Sequence, residues 1–560
     1  MAAADNAKPR LLLCEFISEP RSRTENAKFY GYYAGVAQAA GLPCLWLCVG
    51  AELAIVAAAD GDCRPVAKLA DADLSAFLQA ARDFAPTHAI FNELRPDAFD
   101  ADLRAAVPDL QLLAAPQYFL TPDSLLLRVD PTISLDPALP PPFGQVQRAY
   151  DLSFRVGWLL DWLGVPQIPG VNPEDWLVGA IAPSYPATLL GDGLARVQPL
   201  LKVLGGRPCG YHQAIARNPL YEGVDLTDVR RSHGCSFCNW SMPDVSAPQA
   251  SALDLAREQL QAAELPSRSP RSVGHYDLYD SRILAHIDAF AELVIELGLP
   301  PSMFYVHPRI DEVIGARKKL DRALQRFAAT GHRLFLHRVG VENLSPAENA
   351  RFNKAIDLER VETFLEQIDG YHRDLPETFF CHTTLGYILY TPWTTLDDLQ
   401  ISLDACDALA FQGSNEWLCS TLEMDEGAAI TRLAEKQGGL LVDAYEDPAF
   451  LYMTSSEFNF RRWLRPWRFA DARVALFFRM IVRLVALELR RPSGDAVFAQ
   501  DELFAWSARL LEANDLLGVS RVRLARALCS ALRRQEAPQE PKALLIQVLT
   551  QVAGRPLRAV

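Results

Sequence analysis

The residues best suited to chemistry lie in the segment RRSHGCSFCNW at 230–240, where Cys235 and Cys238 form a CxxC pair. Two thiolates with this spacing on a turn can bind one metal ion or one iron–sulfur cluster, because their sulfur atoms converge. Upstream, Cys209 and His212 form a CxxH pair. The four side chains together have acceptable spacing for a closed tetrahedral zinc site, so spacing alone favours zinc.

The elements that must position these cysteines follow them along the chain. From about 225 to 425, amphipathic helix candidates alternate with five apolar strand candidates, namely SVGHYDLYD, MFYVHPRI, RLFLHRVGVE, FFCHTTLGYILY and EWLCSTLE. This alternation is typical of a parallel βα barrel of the TIM type, whole or partial. The sequence therefore predicts such a barrel at 225–430, with the cysteine pair at its start.

A second α/β region precedes the cysteines. The strand candidates RLLLCEF, LPCLWLCVG, THAIFNE and LQLLAAP alternate with the helix candidates YGYYAGVAQAAG and DLSAFLQAARDF. The pattern predicts a doubly wound, Rossmann-like domain at 1–130, which would bind ligands beyond its strand ends, in the loops after Phe16 and Phe91. No GxGxxG follows the first strand, so a dinucleotide has no support.

The two remaining regions differ in composition. Residues 131–224 contain the proline-rich stretch DPALPPPFG and the apolar VGWLLDWLGV, which predict a linker and a helical connector. Residues 431–560 lose the strand pattern and predict a basic helical domain, since from 451 onward 18 Lys and Arg stand against 10 Asp and Glu. Two interpretations stay open: arginine-faced helices packed on an acidic body, or a docking surface for an acidic partner.

Several segments together carry a resemblance. The string GCSFCNW resembles the cluster loop of radical S-adenosylmethionine (radical SAM) enzymes, in which an aromatic residue precedes the last cysteine of CxxxCxxC. The stretches VGVENLS, followed by Asn353–Lys354, and GYILYTPWTT, followed by LDDL, resemble the fourth and fifth barrel strands of that superfamily. The second stretch is most similar to members that carry an N-terminal cobalamin-binding-type domain, which fits the domain order of this chain.

One position departs from the family pattern. The first cysteine of CxxxCxxC would fall at 231, where this chain has Arg231. A [4Fe-4S] cluster that binds SAM through its fourth iron needs three protein thiolates. The resemblance therefore implies Cys235, Cys238 and a third ligand, for which Cys209 is the nearest upstream candidate. Alternatively, Arg231 or His233 occupies the vacant side and the cluster is degenerate.

The resemblance also implies roles for three further side chains. Phe237 would lie beside the adenine of SAM, Arg309 near its methionine carboxylate, and Glu342 near its ribose or amino group. Each has a structural alternative, as a core ring, a strand cap or a strand-end ion pair. The reduced cluster, supplied with electrons by a donor such as flavodoxin or ferredoxin, would cleave SAM and so modify a small-molecule natural product or a peptide.

The first domain decides between reaction classes. A corrinoid bound there would allow methyl transfer to carbon, although the chain has no DxHxxG motif to offer an axial histidine. Without cobalamin, a radical SAM enzyme of this kind would perform a cyclisation, rearrangement or oxidation. The competing class is a zinc-stabilised, noncatalytic binding protein.

Composition argues against several other functions. A net charge of −14 and a pI near 5.3 do not provide the basic surface that nucleic-acid binding requires. No signal peptide and no apolar run of roughly 18 residues is visible, so a cytoplasmic protein without membrane contact is expected. No GxSxG, P-loop or HExxH motif occurs, which disfavours hydrolase and nucleotidyl chemistry.

Overall fold

The computed structural model describes most of the chain. The described ranges are 8–18, 27–57, 63–91, 99–114, 156–175, 180–184, 187–190, 200–204, 209–227, 229, 231–238, 252–262, 274–280, 282–337, 339–381, 386–408, 415–425, 427–443, 445, 447–450, 465–489, 497–534 and 540–558. The proline-rich stretch at 136–144 lies outside them. So do the segments 19–26 and 92–98, which contain the two loops predicted to bind a ligand.

The N-terminal residues form a mostly parallel sheet with helices beside it. Its elements are β1 (Leu11–Ser18), α1 (Ala27–Ala39), β2 (Cys44–Ala57), β3 (Cys63–Lys68), α2 (Asp71–Phe84), β4 (His88–Phe91), α3 (Phe99–Ala106), β5 (Gln111–Ala114), α4 (Val156–Leu163) and β6 (Ala187–Leu190). The order is β3-β2-β1-β4-β5, and β6 also pairs with β2. Only β3 is antiparallel to its neighbour among these strands, and it pairs with the second half of β2.

A second sheet of five parallel strands begins after β6, with a two-stranded parallel sheet beside it. Its elements are β7 (Leu200–Leu204), α5 (Ala252–Ala262), β8 (Gly274–Tyr279), α6 (Ile287–Glu296), β9 (Ser302–Val306), α7 (Ile310–Gly315), α8 (Arg317–Thr330), β10 (Arg333–Leu336), β11 (Gly340–Glu342), α9 (Pro346–Arg351), α10 (Leu358–Asp374), β12 (Phe379–Cys381), β13 (Gly386–Tyr387) and α11 (Leu396–Ala408). The larger sheet has the order β12-β10-β9-β8-β7, and β11 pairs with β13.

The chain ends in helices that pack on this second region. They are α12 (Ala429–Gln437), α13 (Ala472–Leu489), α14 (Glu502–Ala513), α15 (Arg521–Arg533) and α16 (Pro541–Ala553). Arg526 donates from Nε to the carbonyl of Leu403 in α11 at 2.9 Å, and Arg533 pairs with Asp397 at 2.7 Å. These contacts favour the interpretation of arginine-bearing helices packed on an acidic body.

The expectation of a mixed α/β protein with parallel sheets and many helices is confirmed. Two local predictions differ. EWLCSTLE was expected to form a strand, but Asn415–Cys419 is a 3-10 helix, and only an isolated bridge from Thr421 to Tyr390 continues the pairing. Residues 131–224 were predicted to form a linker and a helical connector. They also contribute β6, which pairs with β2 of the first sheet, and β7, which pairs with β8 of the second. Both pairings join strands that are distant in the sequence, which local patterns do not reveal.

Apolar side chains on the face that packs against the helices hold the larger sheet in place. On the larger sheet, Phe304 is fully buried and stands edge-on to Phe290 of α6 and stacked on Phe327 of α8, at 5.2 and 5.5 Å between ring centroids. Within the described ranges, no helix has both the length and the apolar character needed to cross a bilayer.

Candidate functional site

The cysteines lie at the edge where the strands of the second sheet end. Cys209 follows β7, and Arg309 follows β9, which it joins to β11 through a parallel bridge to Gly340. Parallel strands present their carboxyl ends at one edge, and loops there form the binding sites of βα folds. The topology thus brings Arg309 to Cys235, from which it is separated by 74 positions in the sequence.

Backbone pairing fixes the shape of the cysteine loop. Residues 213–215 pair with 232–234: Gly234 N donates to Gln213 O at 2.8 Å, and Ile215 N donates to Ser232 O at 2.9 Å. Gly234 has φ +96°, and a Cβ there would lie 3.2 Å from the carbonyl of Tyr211. A glycine is therefore required directly before Cys235.

The other side of the loop is anchored to the end of α9. Ser236 donates from its amide to Phe352 O at 2.9 Å and from its hydroxyl to Arg351 O at 2.7 Å. The ring of Phe237 stands edge-on to that of Phe352, with 5.1 Å between centroids. Phe237 is partly buried and packs against the hydrophobic core.

A guanidinium group faces each thiol of the CxxC pair. Arg309 Nη1 lies 3.3 Å from Cys235 Sγ, and Arg231 Nη1 lies 3.6 Å from Cys238 Sγ. Arg231, in the position of the missing cysteine, thus contacts the thiol of Cys238. The Arg309 guanidinium also lies over the ring of Tyr211 at 4.0 Å and donates from Nε to Asp311 at 2.9 Å.

Charge and burial act in opposite directions on these thiols. Burial raises the pKa of Cys235 to about 12, while the positive charges of Lys354 and Arg309 act to lower it. Burial also raises the pKa of Cys209, and the charges of Glu312 and Cys238 add to that rise while Arg309 opposes it. Arg309 therefore interacts electrostatically with both Cys235 and Cys209, which places the three cysteines in one electrostatic environment.

Glu342 pairs with Lys354, one of the two cations whose charge acts on Cys235. Its backbone has φ +65°, and its carboxylate pairs with Lys354, whose Nζ also donates to Gly340 O at 2.9 Å. A Cβ on Gly340 would lie 2.5 Å from the Glu342 carboxylate and 2.7 Å from Lys354 Nζ. The predicted Arg309 and Glu342 are thus brought to adjacent segments around Cys235.

The described side chains of the site are not arranged as a ready set of metal ligands. In the parts of the chain that the structure describes, no group of three or more His, Cys, Asp or Glu side chains is placed to hold a metal ion. His212, the fourth member of the zinc alternative, has its Nε2 3.0 Å from the guanidinium of Arg282.

Three residues of the site were missed or left without a role by the sequence. Tyr211 underlies Arg309, Lys354 supplies a second cation, and Asn353 donates to the carbonyl of Gly234 at 2.8 Å. Asn353 has φ +51°, a conformation that asparagine tolerates, so its residue type is the local feature of the sequence that agrees with this turn. The contact of Tyr211 with a residue 98 positions away has no such signal.

Comparisons of the chain with protein-family models, with curated proteins and with solved structures returned no match.

Proposed function

We propose that this chain is a radical SAM enzyme with an N-terminal doubly wound domain, a central partial barrel and a C-terminal helical domain. The observation that carries the proposal is the cysteine loop at the carboxyl edge of a five-stranded parallel sheet, with Arg309 3.3 Å from Cys235. A zinc site that merely stabilised a loop would not require this edge or these cations.

The residues fit a cluster in their donor chemistry and charge. Thiolate ligands carry negative charge, and Arg309, Lys354 and Arg231 surround the CxxC pair with positive charge. We assign Cys235 and Cys238 as ligands and Cys209 as the third. Binding at Cys238 requires Arg231 to withdraw, since iron would take the sulfur lone pair to which the guanidinium now donates.

The remaining residues hold and orient the cofactor. A [4Fe-4S] cluster, when bound and reduced by a donor such as flavodoxin or ferredoxin, supplies an electron for the cleavage of SAM. Arg309 would bind the methionine carboxylate, Glu342 the ribose or amino group, and Phe237 the adenine. Tyr211 and Asp311 hold the Arg309 guanidinium in one orientation, which limits the entropy that its ligand contacts would cost.

The first sheet supports cobalamin as a second cofactor and methyl transfer to a natural product or peptide as the reaction. Its order reverses direction between β1 and β4, which are paired from Leu11 to Cys14, and ligands of doubly wound sheets bind beyond the strand ends at such a point. Without a corrinoid, the same barrel would perform cyclisation, rearrangement or oxidation.

The test is metal analysis and visible absorption of the anaerobically purified protein. We expect iron and sulfide near four per chain with broad iron–sulfur absorbance, and added hydroxocobalamin should co-elute with the protein. Cys209→Ala should lose the cluster, while Cys44→Ala, a matched change in β2, should retain it. One zinc and no iron would establish the zinc-stabilised protein instead, and a cluster retained by Cys209→Ala would reject that ligand.

A further inference from the structure

Arg282 is a cation at the carboxyl edge of the larger sheet that no carboxylate neutralises. It follows β8, and its guanidinium reaches the segment after β7, where Nη2 lies 3.0 Å from Nε2 of His212. In the described part of the chain, the side chain forms no ion pair and no other hydrogen bond, and its buried Nε has no acceptor. A guanidinium carries five N–H donors, so most of those on Arg282 are available to a ligand.

Packing and one imidazole hold this guanidinium in place. Gly210 lies against it, since a Cβ on that glycine would be 3.3 Å from Arg282 Nε. A guanidinium can only donate, so Nε2 of His212 is the acceptor. The backbone amide of Arg282 donates to Oδ1 of Asp280 at 2.8 Å, which fixes the base of the side chain. The cation is therefore preorganised without a paired carboxylate that a ligand would have to displace.

The segments on the loop side of Arg282 carry positive charge and no carboxylate. Residues 209–221 and 231–238 form this side, and they contain Arg217 and Arg231 but no Asp or Glu. Their backbones pair at 213–215 and 232–234, so both belong to the cysteine loop. An anion that approaches Arg282 from the loop therefore meets only cations of these segments.

Carboxylates lie on the sheet side instead, and two of them are already paired. The carboxylates at the carboxyl ends of β8 and β9 are Asp277, Asp280, Asp311 and Glu312. Asp277 lies 2.7 Å from Nε2 of His307, and Asp311 pairs with Arg309 at 2.9 Å. Lys202 of β7 lies opposite Asp277 in the register of the sheet and adds a further cation there.

The other two carboxylates are buried at this edge. Burial raises the pKa of Glu312 to about 7, and the charges of Asp311 and Asp280 add to that rise. Glu312 therefore keeps a proton for part of the time at neutral pH. Asp280 is 6% exposed and directs Oδ1 to the Arg282 amide, not to the guanidinium. The sheet side thus disfavours an anion, and the loop side of Arg282 favours one.

We propose that Arg282 binds an oxyanion of the substrate, a carboxylate or phosphate group, on its loop side, and that His212 is a positioning residue for the guanidinium. The ligand oxygens would accept from the Nη groups in charge-assisted hydrogen bonds. His212 lies three residues after Cys209 and directly before Gln213, which pairs with Gly234. The site would thus hold an anionic substrate beside the cysteine loop. The inference rests on the proposed function only in assigning the oxyanion to a substrate.

Modification of arginine by phenylglyoxal tests the site without a variant. The full chain is modified in sodium chloride, sodium acetate or sodium phosphate of equal ionic strength, and mass spectrometry of its peptides gives the rate at each arginine. We expect acetate or phosphate to slow the modification of Arg282 about threefold relative to chloride, which corresponds to occupancy of roughly two thirds of the molecules. The more protective salt distinguishes a carboxylate ligand from a phosphate.

Two other arginines are the controls within the same measurement. Arg373 is exposed and pairs only with exposed Asp374, and Arg257 is already in a bidentate pair with Glu296. Neither should change its rate among the three salts. An Arg282 rate that is the same in all salts, or that falls no more than the rate of Arg373, would overturn the inference.

Variants of His212 test the positioning role. His212→Ala removes the acceptor of Nη2, so about tenfold more anion should be needed for the same protection of Arg282. His212→Gln, whose amide oxygen can accept, should restore parental protection. Parental protection in His212→Ala would reject the role of His212. Iron measured on the same preparation keeps the two proposals apart, because protection of Arg282 without iron would refute only the cluster.

Discussion

Asn353→Ala should loosen the cysteine loop, because this side chain bridges its two halves. The side chain is almost fully buried and donates to the carbonyls of Gly234 at 2.8 Å and Gln213 at 3.2 Å. The backbone carbonyl of Asn353, which the substitution keeps, accepts from the hydroxyl of Tyr211 at 2.7 Å. One asparagine therefore joins the two halves of the loop to the end of α9.

The magnitude follows from which groups lose a partner. The carbonyl of buried Gly234 would be left unsatisfied, at a cost of about 1–3 kcal/mol, while that of exposed Gln213 can bind water. Alanine at φ +51° adds about 1 kcal/mol of backbone strain. The free energy of opening the loop should thus fall by about 2–4 kcal/mol, which corresponds to roughly 30- to 1,000-fold less amide protection, at about 1.4 kcal/mol per tenfold.

Hydrogen–deuterium exchange read by mass spectrometry measures this opening directly. Peptides that cover 231–238 report the amides of Gly234 and Ser236, both of which donate in the loop. Asn172→Ala removes an exposed asparagine from a distant loop and should leave their exchange unchanged. Urea midpoints of both variants give the accompanying change in global stability.

Asn353→Gly separates the two contributions. Glycine accepts φ +51° without strain but cannot donate to Gly234, so protection should stay low if hydrogen bonds hold the loop. Parental protection in Asn353→Gly would assign the effect to backbone strain, and parental protection in Asn353→Ala would refute the reasoning altogether.

Three further changes test other parts of the structure. Burial raises the pKa of Glu15 to about 7, so the folded state keeps a proton that the unfolded state releases between pH 4.5 and 7, and stability should fall with rising pH across that window. Glu15→Gln should flatten this slope and raise the free energy of unfolding at pH 8 by up to about 3 kcal/mol in urea titrations; an unchanged slope would contradict it. Gly234→Ala should cost about 1–2 kcal/mol and speed alkylation of Cys235 by iodoacetamide, since φ +96° strains any side chain; an unchanged rate would count against the loop geometry. Asp501→Ala leaves the buried guanidinium of Arg483 without its main carboxylate, so Tm should fall by an amount that corresponds to about 3–5 kcal/mol. Arg373→Ala, which breaks the exposed ion pair with Asp374, should change Tm little, and equal changes in the two variants would contradict the prediction.

Periodicity predicted most elements because the apolar runs are short and bounded. The runs in β1, over Leu11–Phe16, and in β4 are buried on both faces of a parallel sheet, so their sequences lack regular polar alternation and stand out. EWLCSTLE has the same apolar content but forms a 3-10 helix at Asn415–Cys419, since strand propensity needs a neighbouring strand to pair with.

The sequence by itself determined the chemistry available to the site. Cys235 and Cys238, the glycine before them and the arginine at position 231 are local facts of spacing and residue type. These facts predict a loop that can bind a metal or a cluster, and the resemblance adds the expectation that Arg309 and Glu342 contact SAM.

Only the tertiary structure decided what surrounds the thiols. Arg309 reaches Cys235 across 74 positions, and Asp277 reaches His307 across 30, because parallel strands far apart in sequence end at one edge. Side-chain contacts of this kind depend on strand order and register, which a single chain's composition and periodicity do not encode locally. The sequence therefore specified the reactive groups, and the packing of the parallel strands specified which charges and rings they meet.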